Sequence, residues 1–322
     1  MAKIFVTRPI PKAGLDLLKK AGHEVSVNDQ AEDRPATREE ILRGAKEAEA
    51  ILSVLTEKID GAVFENAPNL KIVANYAVGF DNIDLEAARA RGILVTNTPG
   101  ILTNTVAEHT FTLLLAIAHR VTEADRFIRG GKYKAWGPKL LLGQDLFGKT
   151  LGIVGLGRIG SRVAHHATRG FEMKIIYNDL EPTPEFEVAM GATFESNLDV
   201  MLSQADFVSI HVPLVASTRH LINARRLSLM KKTAFLVNTS RGPVIDEVAL
   251  VQALKNNQIR GAALDVFENE PELAEGLAEL DNVIITPHIA SGTEETRDKM
   301  SIMAAENIIA GLNGETPPNL IG

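Results

Sequence analysis

The segment Gly155-Leu-Gly157-Arg-Ile-Gly160 constrains this chain more than any other, because it stands between an apolar run, Leu151-Gly-Ile-Val154, and a stretch of helical period opening at Arg158. Gly155 permits a tight turn, Gly157 lets backbone approach a pyrophosphate, and Gly160 lets helix and strand pack closely, while the helix N-terminus supplies partial positive charge. A second apolar run, Lys174-Ile-Ile-Tyr-Asn178, leads into Asp179, 24 residues past Gly155. An acid there accepts the hydroxyls of an adenine ribose and repels the extra phosphate of NADP, so NAD(H) is the expected cofactor and use of both dinucleotides the rival. Arg158 and Ile159, in the first helical turn, are further candidates for cofactor contact, although an Arg there is as easily a solvated surface residue. The plainer alternative for the whole motif is a glycine turn in an ordinary α/β protein with a solvated acid.

The same alternation runs through the chain. Ile4-Phe-Val6, Val25-Ser-Val27, Ala50 to Val54, Leu70 to Ala74 and Ile93-Leu-Val95 read as strands, interleaved with helical patterns over Ala13 to Ala21, Arg38 to Ala48 and Leu85 to Ala90. Thr37-Arg-Glu-Glu40 reads as a capping box. After Asn97-Thr-Pro-Gly100 the pattern predicts one long helix from about Thr105 to Arg129, then an irregular stretch through Trp136 to Gly148. Alternation restarts at Thr150 and ends in an amphipathic helix over Glu294 to Leu312. Two successive β-α blocks predict an α/β protein of two doubly wound parallel-sheet domains, which suits a length of 322 residues.

Composition narrows the chemistry. With no cysteine, thiol nucleophiles, disulfides and thiolate metal sites are excluded, and no metal is expected. Lys+Arg 34 against Asp+Glu 41 leaves a net charge of -7, so a nucleic-acid backbone is repelled and nucleic acid is not an expected partner. The N-terminal apolar run is broken by Arg8 and Pro9, and the longest apolar stretch, Leu113 to Ala118, falls far short of the roughly 18 residues of a membrane span. A cytoplasmic protein without a membrane partner is expected.

Polar residues follow several of the apolar runs: His211-Val-Pro213, Asn238-Thr-Ser-Arg241-Gly242, Asp265 through Glu270-Pro271, and Thr286-Pro-His288. Alone, His288 reads as a core histidine, Arg241 as an ion-pair partner and Glu270 as a loop acid. Together they offer a cation for a carboxylate, a proton donor and an acid to tune it, which is the constellation of a reductase.

From Lys3 to Leu320 the chain resembles the D-isomer-specific 2-hydroxyacid dehydrogenases, and within them the glyoxylate and hydroxypyruvate reductases. The resemblance is carried by Asn75 to Asp84, Asn97-Thr-Pro-Gly100, Gly148 to Gly160, Asn238 to Gly242, Leu264 to Pro271 and Pro287-His-Ile289. It implies a nucleotide-binding domain over about 100–287, Rossmann-like, inserted into a flavodoxin-like substrate-side domain of 1–99 and 288–322, with a cleft between them. By matching motifs, Arg241 would grip the substrate carboxylate and carbonyl oxygen, His288 would be the acid/base and Glu270 would stabilise its charged form. Val78 and Gly79 would offer backbone N–H groups to the carboxylate. Asp265 would hold the nicotinamide amide, with Val106, Pro213, Thr218, Thr239 and His288 lining the cofactor. In these reductases a Trp at the place of Trp136 reaches a dimer partner's active site, so a homodimer is implied.

The implied reaction is reduction of small 2-keto acids, glyoxylate and hydroxypyruvate, to glycolate and D-glycerate. Two departures stand out: Ala290 occupies a place where Gly is frequent, and Tyr177-Asn-Asp179 lacks the Ser-Arg pair of NADP-using glyoxylate reductases. Among rivals, phosphite dehydrogenases carry Lys where Val78 stands, formate dehydrogenases carry Gln in place of Glu270, and phosphoglycerate dehydrogenases commonly bear a regulatory domain for which no room is expected before Gly322. A rival of another class is an NAD-sensing corepressor-like protein that does not turn over substrate.

Overall fold

Parallel neighbours in a sheet need a crossover between them, so short apolar strands separated by helices dictate the topology. In the computed structural model residues 1–321 are described; Gly322, the last residue of the expected 288–322 segment, lies outside them. The chain divides into two compact units, Met1–Leu102 with the segment from Gly292 onward, and Thr103–Ser291.

In the first unit, strands β1 (Lys3–Val6), β2 (Glu24–Val27), β3 (Ala50–Ser53), β4 (Ile72–Asn75) and β5 (Leu94–Thr96) form a parallel sheet in the order β2-β1-β3-β4-β5. Helices α1 (Lys12–Lys20), α2 (Arg38–Ala45), α3 (Gly61–Asn66) and α4 (Leu85–Ala90) supply its crossovers. The capping box forms as read: the Thr37 hydroxyl accepts the Glu40 N–H and the Glu40 carboxylate accepts the Thr37 N–H. β3 and β4 are buried along their whole length, as a sheet covered on both faces requires.

The second unit opens with α5 (Thr103–Ala118) and α6 (Val121–Arg129). The predicted single helix over this stretch is interrupted: Arg120 takes a left-handed conformation, φ 56°, so α6 leaves in a new direction and buries none of its residues. Then come β6 (Thr150–Val154), α7 (Arg158–Phe171), β7 (Lys174–Asn178), α8 (Pro184–Met190), β8 (Thr193–Phe194), α9 (Leu198–Gln204), β9 (Phe207–Ile210), α10 (Ala224–Leu229), β10 (Phe235–Asn238), α11 (Glu247–Lys255), β11 (Gly261–Leu264) and β12 (Val283–Ile285). The closing helix α12 (Glu294–Leu312) belongs to the first unit, where it packs on α1 and β4.

The second sheet is parallel throughout, in the order β12-β11-β10-β9-β6-β7-β8. Strand order reverses at β6, whose two neighbours are β7 and β9, and that reversal is where open α/β sheets bind their ligands. Register then places the site. Val154 pairs with Asn178 and Ile210, Ile210 with Asn238, Asn238 with Leu264, and Leu264 with Ile285. The residues just beyond these strands, Gly155, Asp179, His211, Thr239, Asp265 and Thr286, therefore form one row along the carboxyl edge of the sheet.

Candidate active site

At the switch point the chain leaves β6 through Gly155, at φ 92°, and enters α7 with Gly157 as its N-cap. A side chain on Gly160 would collide with the Gly155 carbonyl, so only glycine lets helix and turn approach this closely. Space is open in front of Gly157, the first turn of α7 carries no acid and no side-chain cap, and Arg158 is exposed beside it. Such a turn suits a pyrophosphate, whose oxygens would satisfy the free N–H groups of the first helical turn. Asp179 is tied into the same turn: Oδ2 accepts the Leu156 N–H at 2.7 Å and Oδ1 the Leu180 N–H at 2.7 Å. The predicted ribose acid thus also braces the glycine turn. Across the sheet, Thr218 Oγ1 donates to the Pro213 carbonyl at 2.6 Å and closes the loop after β9.

The Arg241 segment follows β10. Asn238 holds it from both sides: its Oδ1 accepts the Ser240 N–H and hydroxyl, and its Nδ2 donates to the Arg241 carbonyl at 2.9 Å. Gly242 lies so tightly against the backbone at Phe267 that any side chain would overlap the Phe267 carbonyl. This contact joins the Arg241 segment to the segment carrying Glu270. Glu270 Oε1 accepts the Phe267 N–H at 3.0 Å, and Oε2 lies 3.0 Å from His288 Nδ1. Both side chains are about a quarter exposed, 24% for His288 and 28% for Glu270, so the pair is held yet reachable from solvent.

His288 sits at φ 53°, a conformation unfavourable for a side chain of this kind unless its surroundings impose it. They do. Its N–H donates to the Asp265 carbonyl at 2.9 Å, and the Asp265 carboxylate accepts Thr286 Oγ1 at 2.6 Å, Ile289 N–H at 2.9 Å and Ala290 N–H at 2.7 Å. His109, on α5, brings Nε2 to 3.5 Å from Asp265 Oδ1 and 3.4 Å from Thr286 Oγ1. Burial alone would push the Asp265 carboxyl up, but hydrogen bonds from His109, Thr286, Ile289 and Ala290 outweigh it and hold the group below the ordinary aspartate range. A neighbouring bond, Thr110 Oγ1 to Thr239 Oγ1 at 2.8 Å, ties α5 to the end of β10, with Val106 buried one turn earlier.

Structure thus gathers Glu270, His288 and Asp265, with Arg241 joined through Gly242, and gathers Gly155, Gly157, Gly160 and Asp179 at the switch point. Val78 and Gly79 belong to the first unit, and Trp136 stands 80% exposed on the irregular stretch after α6. Sequence reasoning gave no part to His109 or Thr110. Their only signal is a polar pair on the buried stripe of α5, Val106, Thr110, Leu113 and Ile117, which reads as core.

Residues 111–290 match the D-isomer specific 2-hydroxyacid dehydrogenase, NAD binding domain family. Over 323 aligned residues the chain is 49% identical to a glyoxylate reductase of Pyrococcus furiosus, covering 99% of this chain and 95% of the relative. Among solved structures, a Thermus thermophilus protein superposes with a TM-score of 0.93 at 43% identity, covering 99% and 100% of the two chains. An NADPH-dependent glyoxylate/hydroxypyruvate reductase of Sinorhizobium meliloti, solved with NADP and malonate, superposes with a TM-score of 0.86 at 33% identity, covering 100% and 97%.

Proposed function

The chain belongs to the D-isomer specific 2-hydroxyacid dehydrogenases, a family of oxidoreductases with a nicotinamide cofactor, and from that membership we propose that it reduces glyoxylate and hydroxypyruvate to glycolate and D-glycerate with NADH. The observation that carries this reading is the Glu270–His288 pair, 3.0 Å apart, on a loop fixed by a buried carboxylate. Glu270 engages Nδ1, which leaves Nε2 of His288 as the nitrogen that gives a proton to the substrate's carbonyl oxygen. When bound, the nicotinamide supplies the hydride to the carbonyl carbon. Arg241 holds the substrate carboxylate and steadies negative charge on the carbonyl oxygen, and the backbone N–H groups of Val78 and Gly79 take the carboxylate as well. In the oxidative direction neutral His288 accepts the proton.

In this reading the unit Thr103–Ser291, a few residues offset from the expected 100–287, is the cofactor domain, and Met1–Leu102 with the segment from Gly292 onward is the substrate-side domain. Gly155, Gly157, Arg158, Ile159 and Gly160 hold the pyrophosphate, Asp179 the adenine ribose, and Val106, Pro213, Thr218, Thr239, Asp265 and His288 the nicotinamide side. The preference for NADH rests on Asp179, whose carboxylate disfavours a ribose phosphate. A homodimer is supported by apolar surface with nothing packed on it in one chain: Ile128 62%, Trp136 80% and Phe147 64% exposed. A cytoplasmic location completes the reading; among the described residues no helix is long and apolar enough to cross a membrane.

Turnover of a series of small 2-keto acids, followed by loss of NADH absorbance, tests it. The expected result is turnover of glyoxylate and hydroxypyruvate ahead of longer keto acids. Faster oxidation of phosphite than reduction of either acid contradicts the assignment, and cofactor binding without any turnover points to a sensing role instead.

A further inference from the structure

A planar trans peptide points its C=O and N–H in opposite directions, so whatever fixes the carbonyl aims the amide. After β4 three successive carbonyls are fixed in this way. The Ala77 carbonyl accepts the Thr98 N–H at 2.9 Å, the Val78 carbonyl accepts Asn97 Nδ2 at 2.8 Å, and the Gly79 carbonyl accepts Asn75 Nδ2 at 2.9 Å. The N–H groups of the same three peptides are those of Val78, Gly79 and Phe80, and no acceptor for them occurs among the described residues. Burial falls off in step, from Tyr76 and Ala77, which are buried, through Val78 and Gly79 to exposed Phe80.

From this geometry we infer that Asn75 and Asn97 are positioning residues, which lock the Val78–Phe80 peptides so that consecutive N–H groups form a ready receptor for the substrate carboxylate. The inference rests on the reading that Val78 and Gly79 take that carboxylate. Consecutive N–H groups held to one side make an anion-binding concavity, and holding them in advance removes the cost of ordering the loop around each substrate. An amide side chain is what each position needs, because a carboxylate has no hydrogen to donate to a peptide carbonyl.

Both asparagines are themselves anchored. Asn75 is fully buried; its Oδ1 accepts the Ser53 hydroxyl at 3.0 Å, and its Nδ2 also reaches Asn82 Oδ1 at 3.0 Å. Asn82 Nδ2 in turn donates to the Val54 and Glu57 carbonyls at 3.2 and 3.0 Å. Asn97 is held by its backbone, whose carbonyl accepts Nδ2 of buried Asn307 on α12 at 3.2 Å. The receptor is therefore built on the ends of β3, β4 and β5.

Asn97→Ala, at the less buried of the two positions, separates this role from a merely structural one. The first readout is the ratio of kcat/KM for glyoxylate to that for its methyl ester, which lacks the carboxylate; the second is NADH affinity. The inference expects the ratio to fall about tenfold, the scale of a lost charge-assisted hydrogen bond, with NADH affinity unchanged. Isosteric Asn97→Asp, read in the same way, serves if the alanine variant does not fold. An unchanged ratio in a folded variant overturns the inference. Amide resonances of Val78, Gly79 and Phe80 in the cofactor-saturated protein, titrated with oxamate, keep the two readings distinct. Shifts in the parent that vanish in Asn97→Ala support the receptor even if glyoxylate is not turned over, which would count against the proposed function alone. Absence of shifts in the parent rejects the receptor.

Discussion

The Asp265 carboxylate accepts the Ala290 backbone N–H at 2.7 Å, two residues beyond His288, while the Asp265 carbonyl accepts the His288 N–H at 2.9 Å. One fully buried residue at the end of β11 thus holds the histidine's backbone from both sides. Removing the charge is expected to leave donors without an acceptor. Asp265→Asn should destabilise the protein by about 3 kcal/mol in chemical denaturation and lower kcat. Because the folded carboxyl is held below its unfolded range, its contribution is present above pH about 4 and is lost as pH falls through the folded value. The stability of the parent should therefore decline more steeply on acidification below pH 5 than that of the variant. Equal stabilities at neutral pH would remove Asp265 from this role.

Asp179 meets the glycine turn through the Leu156 N–H and, in the proposed complex, the adenine ribose. Asp179→Ser is expected to lower kcat/KM with NADH by tenfold or more, on the scale of a charged hydrogen bond, while use of NADPH rises. Steady-state kinetics with the two cofactors measure this. An unaltered NADH/NADPH ratio would mean that cofactor choice lies elsewhere.

His211 shares the strand-end row, but desolvation of its ring pushes it down to about 3, and its Nε2 lies 2.8 Å from Ser209 Oγ. It therefore stays neutral between pH 5 and 8. The unfolded chain takes up a proton at this residue below about pH 6.5 and the folded chain does not, so stability falls as pH drops from there toward 3. His211→Gln is expected to weaken that acid-side loss and to leave the pH dependence of turnover unmoved. A shifted pH–rate profile would place His211 in the proton pathway.

Trp136, Ile128 and Phe147 are exposed apolar residues of the second unit. Sedimentation equilibrium is expected to show a dimer, and Trp136→Ala to lose discrimination among keto acids while keeping NADH affinity. A monomer with full activity would contradict the dimer.

Much of this arrangement is legible in the residues. Apolar runs followed by Gly155, Asp179, Arg241 and His288 mark strand ends, and a parallel sheet brings strand ends to one edge; Thr37 to Glu40 forms its capping box, and Glu294 to Leu312 is helical as expected but not amphipathic, since its buried residues include Thr296, Ser301 and Asn307. The break at Arg120 is not legible, because a left-handed Arg leaves no trace in an otherwise continuous helical period. Residues 184–204 resist assignment because α8 buries nothing and β8 is two residues long. Asp265 holding Ala290, His109 facing Asp265, and Asn97 behind Val78 are tertiary pairings, and no local period encodes a contact between residues 19 to 156 positions apart.

His288 as the proton donor, engaged at Nδ1 by Glu270, is the centre of the account, and the most direct test is keto-acid reduction by His288→Ala alongside NADH titration of the same variant. Loss of a general acid typically costs 10²- to 10⁴-fold, so kcat for glyoxylate should fall by about that much and lose its dependence on a single protonation, while NADH affinity changes only a few-fold, because one contact on the nicotinamide side is lost but the glycine turn and Asp179 are untouched. Turnover within a few-fold of the parent would contradict it and put the proton donor on another group.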